Sequence, residues 1–325
     1  MKVSILLPAY NAAQYLKETL DSIVNQIYRD FEVLLIDDGS TDGTQSIAKY
    51  FARIDNRVKY YKNEKNLGLI KTLNKGLSLA SGEYIVRMDA DDIMDADRLL
   101  KQIKYMESHP ECFVCGGQMT YIGELRGNAP YLPCAYEDLY ILSLTNCPLY
   151  HPTVIIRNRV FQEFGFRYND NYKHAEDYKL WSDIVFSYPN SIANINDVVL
   201  YYRISKDQIT SKFEKEQELV SKRIRRENVL HVLSLYDIKL PQSIDIEIIE
   251  TVSSFIRKEK NNPSFILMLI LSMLYMSMKD SSARIKHFIL SGNCLLFVKD
   301  LLRIKLGLSI LLSGVFPNRG KRFII

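Results

Sequence analysis

Cysteine is scarce in this chain, and its five copies fall in no framework. Cys112 and Cys115 have the spacing of half a zinc site, but no second pair or suitably placed histidine follows, and Cys134, Cys147 and Cys294 stand singly. Buried strand thiols in a reducing compartment are the expectation. The start Met1-Lys2-Val3-Ser4 offers no signal peptide, because the apolar run after Lys2 is short and stops at Pro8. The uncharged run from Phe265 to Met278 falls short of the roughly 20 residues that a spanning helix needs. The glycines between Asp37 and Thr44 lack the terminal Gly-Lys-Ser/Thr of a phosphate loop, which excludes a P-loop nucleotidase. Internal repeats and low-complexity tracts are absent, and basic residues alternate with acids rather than forming an aromatic-rich groove, so nucleic acid is not an expected partner.

Three carboxylates in four residues, Asp89-Ala90-Asp91-Asp92, directly follow the apolar run Glu83 to Met88. Carboxylates at the end of a buried strand are costly to desolvate and need a compensating positive charge. A divalent cation supplies it. An Asp-x-Asp pair offers that ion only one or two oxygens and leaves positions for water and substrate phosphates, as Mg2+ or Mn2+ sites commonly do. The plainer reading is that Asp92 to Leu100 begins a helix, whose amino end favours acids.

Val3 to Pro8 and Phe31 to Ile36 read as short buried strands, each ending in a polar turn. Between them Tyr15, Leu16, Leu20, Ile23, Val24 and Ile27 recur at helical spacing. Strand, helix, strand implies a right-handed crossover in a parallel sheet, whose ligands bind beyond the carboxyl ends of the strands. Pro8 to Asn11, Asp37 to Thr44 and Asp89 to Asp92 therefore converge on one crevice.

In order and spacing these segments, with Asn63 to Gly68, resemble the family 2 glycosyltransferases, inverting enzymes of the GT-A fold, over roughly the first 210 residues. The resemblance implies an α/β fold with a Rossmann-like, mostly parallel twisted sheet flanked by helices, here with a C-terminal helical appendage. It implies that Tyr10 packs against the nucleotide base, that Asp38 accepts a hydrogen bond from it, and that Pro8 and Asn11 shape the pocket. Lys65, in the segment carrying Asn66 and Gly68, is the basic residue that would reach base or phosphate. Asp91 falls to the metal, Mg2+ or Mn2+, Asp89 to the ribose or the metal, and Asp92 to no assigned contact.

His174 to Trp181 resembles the family's acidic motif at a helix start, which makes Asp177 the general base for the acceptor hydroxyl, with Glu176 as the adjacent alternative. Inversion requires the alcohol to attack from the face opposite the diphosphate, and a base there raises its nucleophilicity. The plainer alternative is that both are ordinary first-turn helix acids. His151 is either a site-lining residue or a buried, hydrogen-bonded one. Tyr201 to Ser205 resembles a loop in which many relatives carry a histidine where this chain has Ser205.

From Lys279 onward nine Lys or Arg face two Asp, about +7, so the preceding part carries about −3 of the net +4. Leu295 to Leu306 alternates apolar and basic residues at helical spacing, the pattern of a helix lying on an anionic membrane surface; packing onto protein is the alternative. The domains are thus read as 1–212 catalytic, 213–260 a helical connector, and 261–325 an apolar and basic membrane-associated region.

The expected function is metal-dependent transfer of a sugar from a nucleotide-sugar donor, a UDP-sugar by resemblance, to an acceptor hydroxyl. A lipid-linked oligosaccharide of surface polysaccharide synthesis is the expected acceptor, met at the inner face of the plasma membrane. The rivals are an inactive nucleotide-sugar-binding scaffold and a sugar nucleotidyltransferase. The latter should carry a Gly-rich, Arg-containing loop where Pro8-Ala9-Tyr10-Asn11 stands.

Overall fold

Four strands, β1 (Val3–Ala9), β2 (Phe31–Asp37), β3 (Val58–Lys62) and β4 (Tyr84–Arg87), lie parallel in the order β3-β2-β1-β4. The computed structural model describes residues 2–144, 146–204 and 213–234. The crossovers are α1 (Leu16–Val24), α2 (Thr44–Ile54) and α3 (Leu69–Leu79). Side chains alternate across β1: Val3, Ile5 and Leu7 enter one apolar core with Leu16, Leu20 and Ile23 of α1, while Leu6 enters a second with Leu73 and Leu77 of α3. Burial on both faces is why β1 and β2 read as nearly unbroken apolar runs rather than alternating ones, while β3, at the edge of the sheet, is only partly buried.

The second half of the sheet departs from parallel pairing. The elements are β5 (Ile93–Met94), α4 (Arg98–Ser108), β6 (Val114–Gly123), β7 (Gly127–Asn128), α5 (Tyr136–Leu142), β8 (Ile155–Arg157), α6 (Arg159–Gln162), α7 (Glu176–Ser187), β9 (Ile192–Ile204) and α8 (Glu214–Ser234). Strand order continues β4-β8-β6-β9-β5, and β7 pairs with β6. β8 is antiparallel to β4 and β6, β9 is parallel to β6, and β5 is antiparallel to β9. The α/β architecture expected from the sequence is observed.

Two local expectations change. The stretch from Asp92 to Leu100 does not start a helix at Asp92, since Ile93 and Met94 pair with Tyr201 and Leu200 of β9 and the Met94 N–H donates to Ser22 Oγ at 3.0 Å. The sheet claims those backbone groups first, and α4 begins only at Arg98. Likewise α1 ends at Val24, and Ile27, beyond it, is exposed.

Met1–Ser143 and Cys147–Ile224 group into one compact unit that contains every strand among the described residues, and Leu144–Asn146 and Arg225 onward group separately. Within the first unit Ile224 of α8 packs with Tyr172, Ala175 and Tyr178. No helix among the described residues is long and apolar enough to cross a membrane. The runs from Phe265 to Met278 and Leu295 to Leu306, with Cys294 and Ser205, lie outside the described residues.

Candidate active site

The turn after β2 is held by its own carboxylates. Asp37 accepts the Ser40 N–H at 2.8 Å and the Tyr60 hydroxyl at 3.0 Å. Asp38 is buried and ties down the next loop, accepting Asn63 Nδ2 at 2.7 Å and the N–H groups of Leu67 and Gly68, both at 2.9 Å. The Gly68 N–H also donates to Asn66 Oδ1, and Gly68, with φ of +87°, leads into α3. Gly39 allows this closure: its φ is +75°, and a Cβ there would sit 2.6 Å from the Lys65 carbonyl carbon. Asp38 thus has a structural duty that its sequence pattern does not disclose.

Pro8 is buried near the end of β1, past the point where pairing to β4 stops at Leu6, so its missing N–H removes no bond from that ladder. Tyr10 follows directly and is half exposed. Asn11 adopts the left-handed conformation at φ of +47°; its N–H donates to Ser40 Oγ at 3.0 Å and its Oδ1 accepts the Thr41 N–H at 2.9 Å. Lys65 and Asn66 are exposed on the adjoining loop. The residues expected to form the nucleotide pocket therefore occupy contiguous loops at the carboxyl ends of β1 to β3.

Beyond β4, one ligand oxygen from each of Asp89, Asp91 and Asp92 lies within 4.8 Å of the others. Asp89 is ion-paired with Arg87, while Asp92 is fully buried and accepts the Arg203 N–H at 2.9 Å with one oxygen. Its other oxygen, Oδ2, is buried with no hydrogen-bond partner. Burial, and then the Asp89 charge, push the Asp91 carboxyl up to about 6 and the Asp92 carboxyl well above its usual range. A turn whose carboxylates resist ionising together, and which leaves a buried oxygen unused, fits a hard divalent cation with oxygen ligands.

The second acidic pair opens α7, where Ala175 at the N-cap offers no side-chain cap and Glu176 and Asp177 lie in the first turn. Asp177 accepts its neighbour Tyr178 N–H with Oδ1 at 2.8 Å, and the Cys147 thiol approaches Oδ2 at 3.7 Å. Burial raises the Asp177 carboxyl; burial and the Asp177 charge push buried Glu176 up to about 7. Glu176 Oε2 has no hydrogen-bond partner. Both residues are first-turn acids, and neither is an ordinary solvated one.

Arg87, which the sequence reading passed over, is the buried cation common to both sets. It is 4% exposed, its Nε is buried without a partner, and its charge acts on Asp91, Asp92, Glu176 and Asp177 alike. A period-two signal was available, because Arg87 and Asp89 are two apart at the end of an otherwise apolar strand. Arg98 was also missed. It is fully buried and donates to the backbone carbonyls of Arg87, Pro152 and Val154, which bolts α4 to the sheet.

His151 is buried, with Nε2 2.8 Å from the Tyr168 hydroxyl and its ring edge-on to Trp181, and burial lowers it well below the usual histidine range. This is the hydrogen-bonded core arrangement. Cys112 and Cys115 are buried, unbridged thiols, as expected.

Residues 4–165 match the family model described as Glycosyl transferase family 2. An uncharacterized glycosyltransferase of Haemophilus influenzae is 34% identical over 298 residues, covering 88% of this chain and 90% of that protein. The Escherichia coli protein WfgD, named as a UDP-Glc:alpha-D-GlcNAc-diphosphoundecaprenol beta-1,3-glucosyltransferase, is 31% identical over 215 residues, 66% of this chain and 81% of its own. Among solved structures, S. aureus TarS 1–349 in complex with UDP-GlcNAc superposes with a TM-score of 0.59 at 21% identity, covering 85% of this chain and 81% of that one. That likeness establishes the GT-A fold. With a relative of this identity and coverage, the chain belongs to glycosyl transferase family 2 and is a glycosyltransferase.

Proposed function

We propose that this enzyme transfers a sugar from a nucleotide diphosphate donor, a UDP-sugar, to an acceptor hydroxyl with inversion and with the help of Mg2+ or Mn2+. The observation that carries the reading is the cluster of Asp89, Asp91 and Asp92, three carboxylates within 4.8 Å beside a loop system suited to a nucleotide. Asp91 and Asp89 hold the cation, which when bound offsets negative charge developing on the leaving diphosphate. Tyr10 packs on the base and Asp38 accepts from it. Pro8, Asn11, Asn66 and Gly68 shape the pocket, and Lys65 reaches toward base or phosphate.

Asp177 is the general base. Its Oδ2 faces only a weak thiol donor, so it is the oxygen available to take the acceptor proton as the new C–O bond forms and the bond to the diphosphate breaks. Glu176 contacts the acceptor: neighbours on a helix point about 100° apart and do not share one role. Arg87 keeps the two acidic sets from repelling each other.

The acceptor is a lipid-linked saccharide, the class named in the WfgD activity. Residues 1–212 form the catalytic domain in this reading, 213–260 a connector, and 261–325 a region that seats the enzyme on the anionic inner face of the plasma membrane. The test is a donor panel: purified protein is incubated with UDP-, GDP- and dTDP-sugars and Mn2+ or Mg2+, and released nucleoside diphosphate is followed. Metal-dependent UDP release from one donor is expected; silence across the panel, with no UDP binding, would leave a non-catalytic scaffold.

A further inference from the structure

Beyond Tyr201, β9 has no β5 residue opposite it, since that pairing ends at Ile93. The Asp92 carboxylate takes over there, and its Oδ1 accepts the Arg203 N–H at 2.9 Å. The Arg203 guanidinium then turns back onto the same acid turn and donates through Nε to the Asp91 carbonyl at 2.8 Å. One residue thus grips both sides of the Asp91–Asp92 peptide. From α1, the Thr19 hydroxyl donates to the preceding Ala90 carbonyl at 3.0 Å.

Arg203 is itself anchored. An outer nitrogen of its guanidinium lies 2.6 Å from Glu18 Oε2, and the group stacks over the Tyr15 ring at 4.3 Å. Glu18 and Tyr15 belong to α1 and its entry, so the side chain spans from β9 across the acid turn to a helix on another part of the sheet. A planar fork bonds two partners along different edges while its face lies on an aromatic ring, a geometry that the compact lysine ammonium does not reproduce.

We propose that Arg203 is a positioning residue for the cation-holding turn: it fixes the Asp91–Asp92 peptide so that the acids meet the metal without reorganising, and Glu18 fixes Arg203. This rests on the metal reading of Asp89 and Asp91 above. Groups that orient metal ligands typically change affinity by roughly 10 to 100-fold when removed. The Arg203 effect belongs at the lower end, because its backbone N–H to Asp92 survives any substitution.

The test is a Mn2+ titration of the full-length protein in the presence of UDP, followed by the loss of the free-ion electron paramagnetic resonance signal. Arg203→Met is expected to weaken Mn2+ binding about tenfold, Arg203→Lys less, and Glu18→Gln about two- to threefold. UDP affinity in EDTA should stay at the wild-type value in all three, which a general loss of structure would not allow. Should Arg203→Met fail to fold, Glu18→Gln carries the test, since it leaves the contacts of Arg203 to the turn in place and removes only the distant charge. Mn2+ affinity at the wild-type value in Glu18→Gln and in every folded Arg203 variant would overturn the proposal alone. Absence of Mn2+ binding to the wild-type protein would overturn the metal reading with it.

Discussion

The loops after β1 to β3 and the acids after β4 and at the start of α7 both carry carboxylates, yet they treat their charges in opposite ways. Around Asp37 and Asp38 every carboxylate oxygen already meets a protein N–H or hydroxyl group. In the other region Asp92 Oδ2, Glu176 Oε2 and Arg87 Nε are buried without partners. A buried polar atom without a partner calls for an explanation, and in the proposed reading substrate and cation supply it. In the proposed reading the first region is a built frame against which the nucleotide packs, and the second is a set of charges held for substrate and cation.

The sharpest way to break this contrast is at Asp91. Asp91→Asn should lower turnover by about 10³-fold, near 4 kcal/mol of transition-state stabilisation, while leaving the melting temperature unchanged or higher, because it removes a charge repelled by Asp89. A fall in melting temperature would place Asp91 in the frame instead. Asp177→Asn comes next: the loss of a general base predicts a fall in kcat of roughly 10²- to 10³-fold with UDP affinity intact. Parallel loss of UDP binding would contradict its assignment to the acceptor side.

Asp38→Ala should cost stability, where Asp91→Asn does not. With Asn63, Leu67 and Gly68 left without their shared acceptor, unfolding free energy is expected to drop by about 3 kcal/mol, measurable by urea denaturation. Equal stability would show that the loop does not depend on this carboxylate.

Glu176 gives a pH-dependent version of the comparison. Its carboxyl is pushed up to about 7 in the folded state, whereas an unfolded glutamate titrates near its ordinary value of 4.5. Folding therefore favours the protonated form, and stability from this group falls as pH rises from 4.5 through 7. Glu176→Gln, permanently neutral, should be more stable than wild type by about 3 kcal/mol at pH 8, with the gain shrinking to nothing as pH approaches 4.5. A gap that does not vary with pH would mean that Glu176 is not held against its charge.

What the sequence disclosed follows the same division. β1, β2, β4 and the turns at their ends were legible because their residues are local and periodic: apolar runs closed by Pro8, by Asp37-Asp38-Gly39 and by Asp89-Ala90-Asp91-Asp92. The first-turn acids of α7 were legible for the same reason. Most of the mixed half was not, since β5 and β7 are two residues long and take their register from distant β9 and β6. Asp92 reads locally as the start of a helix, and only Arg203, 111 positions on, makes it a buried end of a sheet ladder. Arg87 and the loop-holding bonds of Asp38 went unread for a related reason: the groups that meet them lie on other strands and loops.

The most direct measurement of the central claim, that the acid turn holds a divalent cation against the donor diphosphate, is calorimetric titration of UDP into the protein with Mn2+ and with EDTA, for wild type and Asp91→Asn. The account predicts UDP binding to wild type at least about tenfold tighter with Mn2+ than with EDTA, and Asp91→Asn in Mn2+ no tighter than wild type in EDTA. Equal UDP affinity with and without the metal, or an Asp91→Asn protein that retains the full metal-dependent gain, would contradict it.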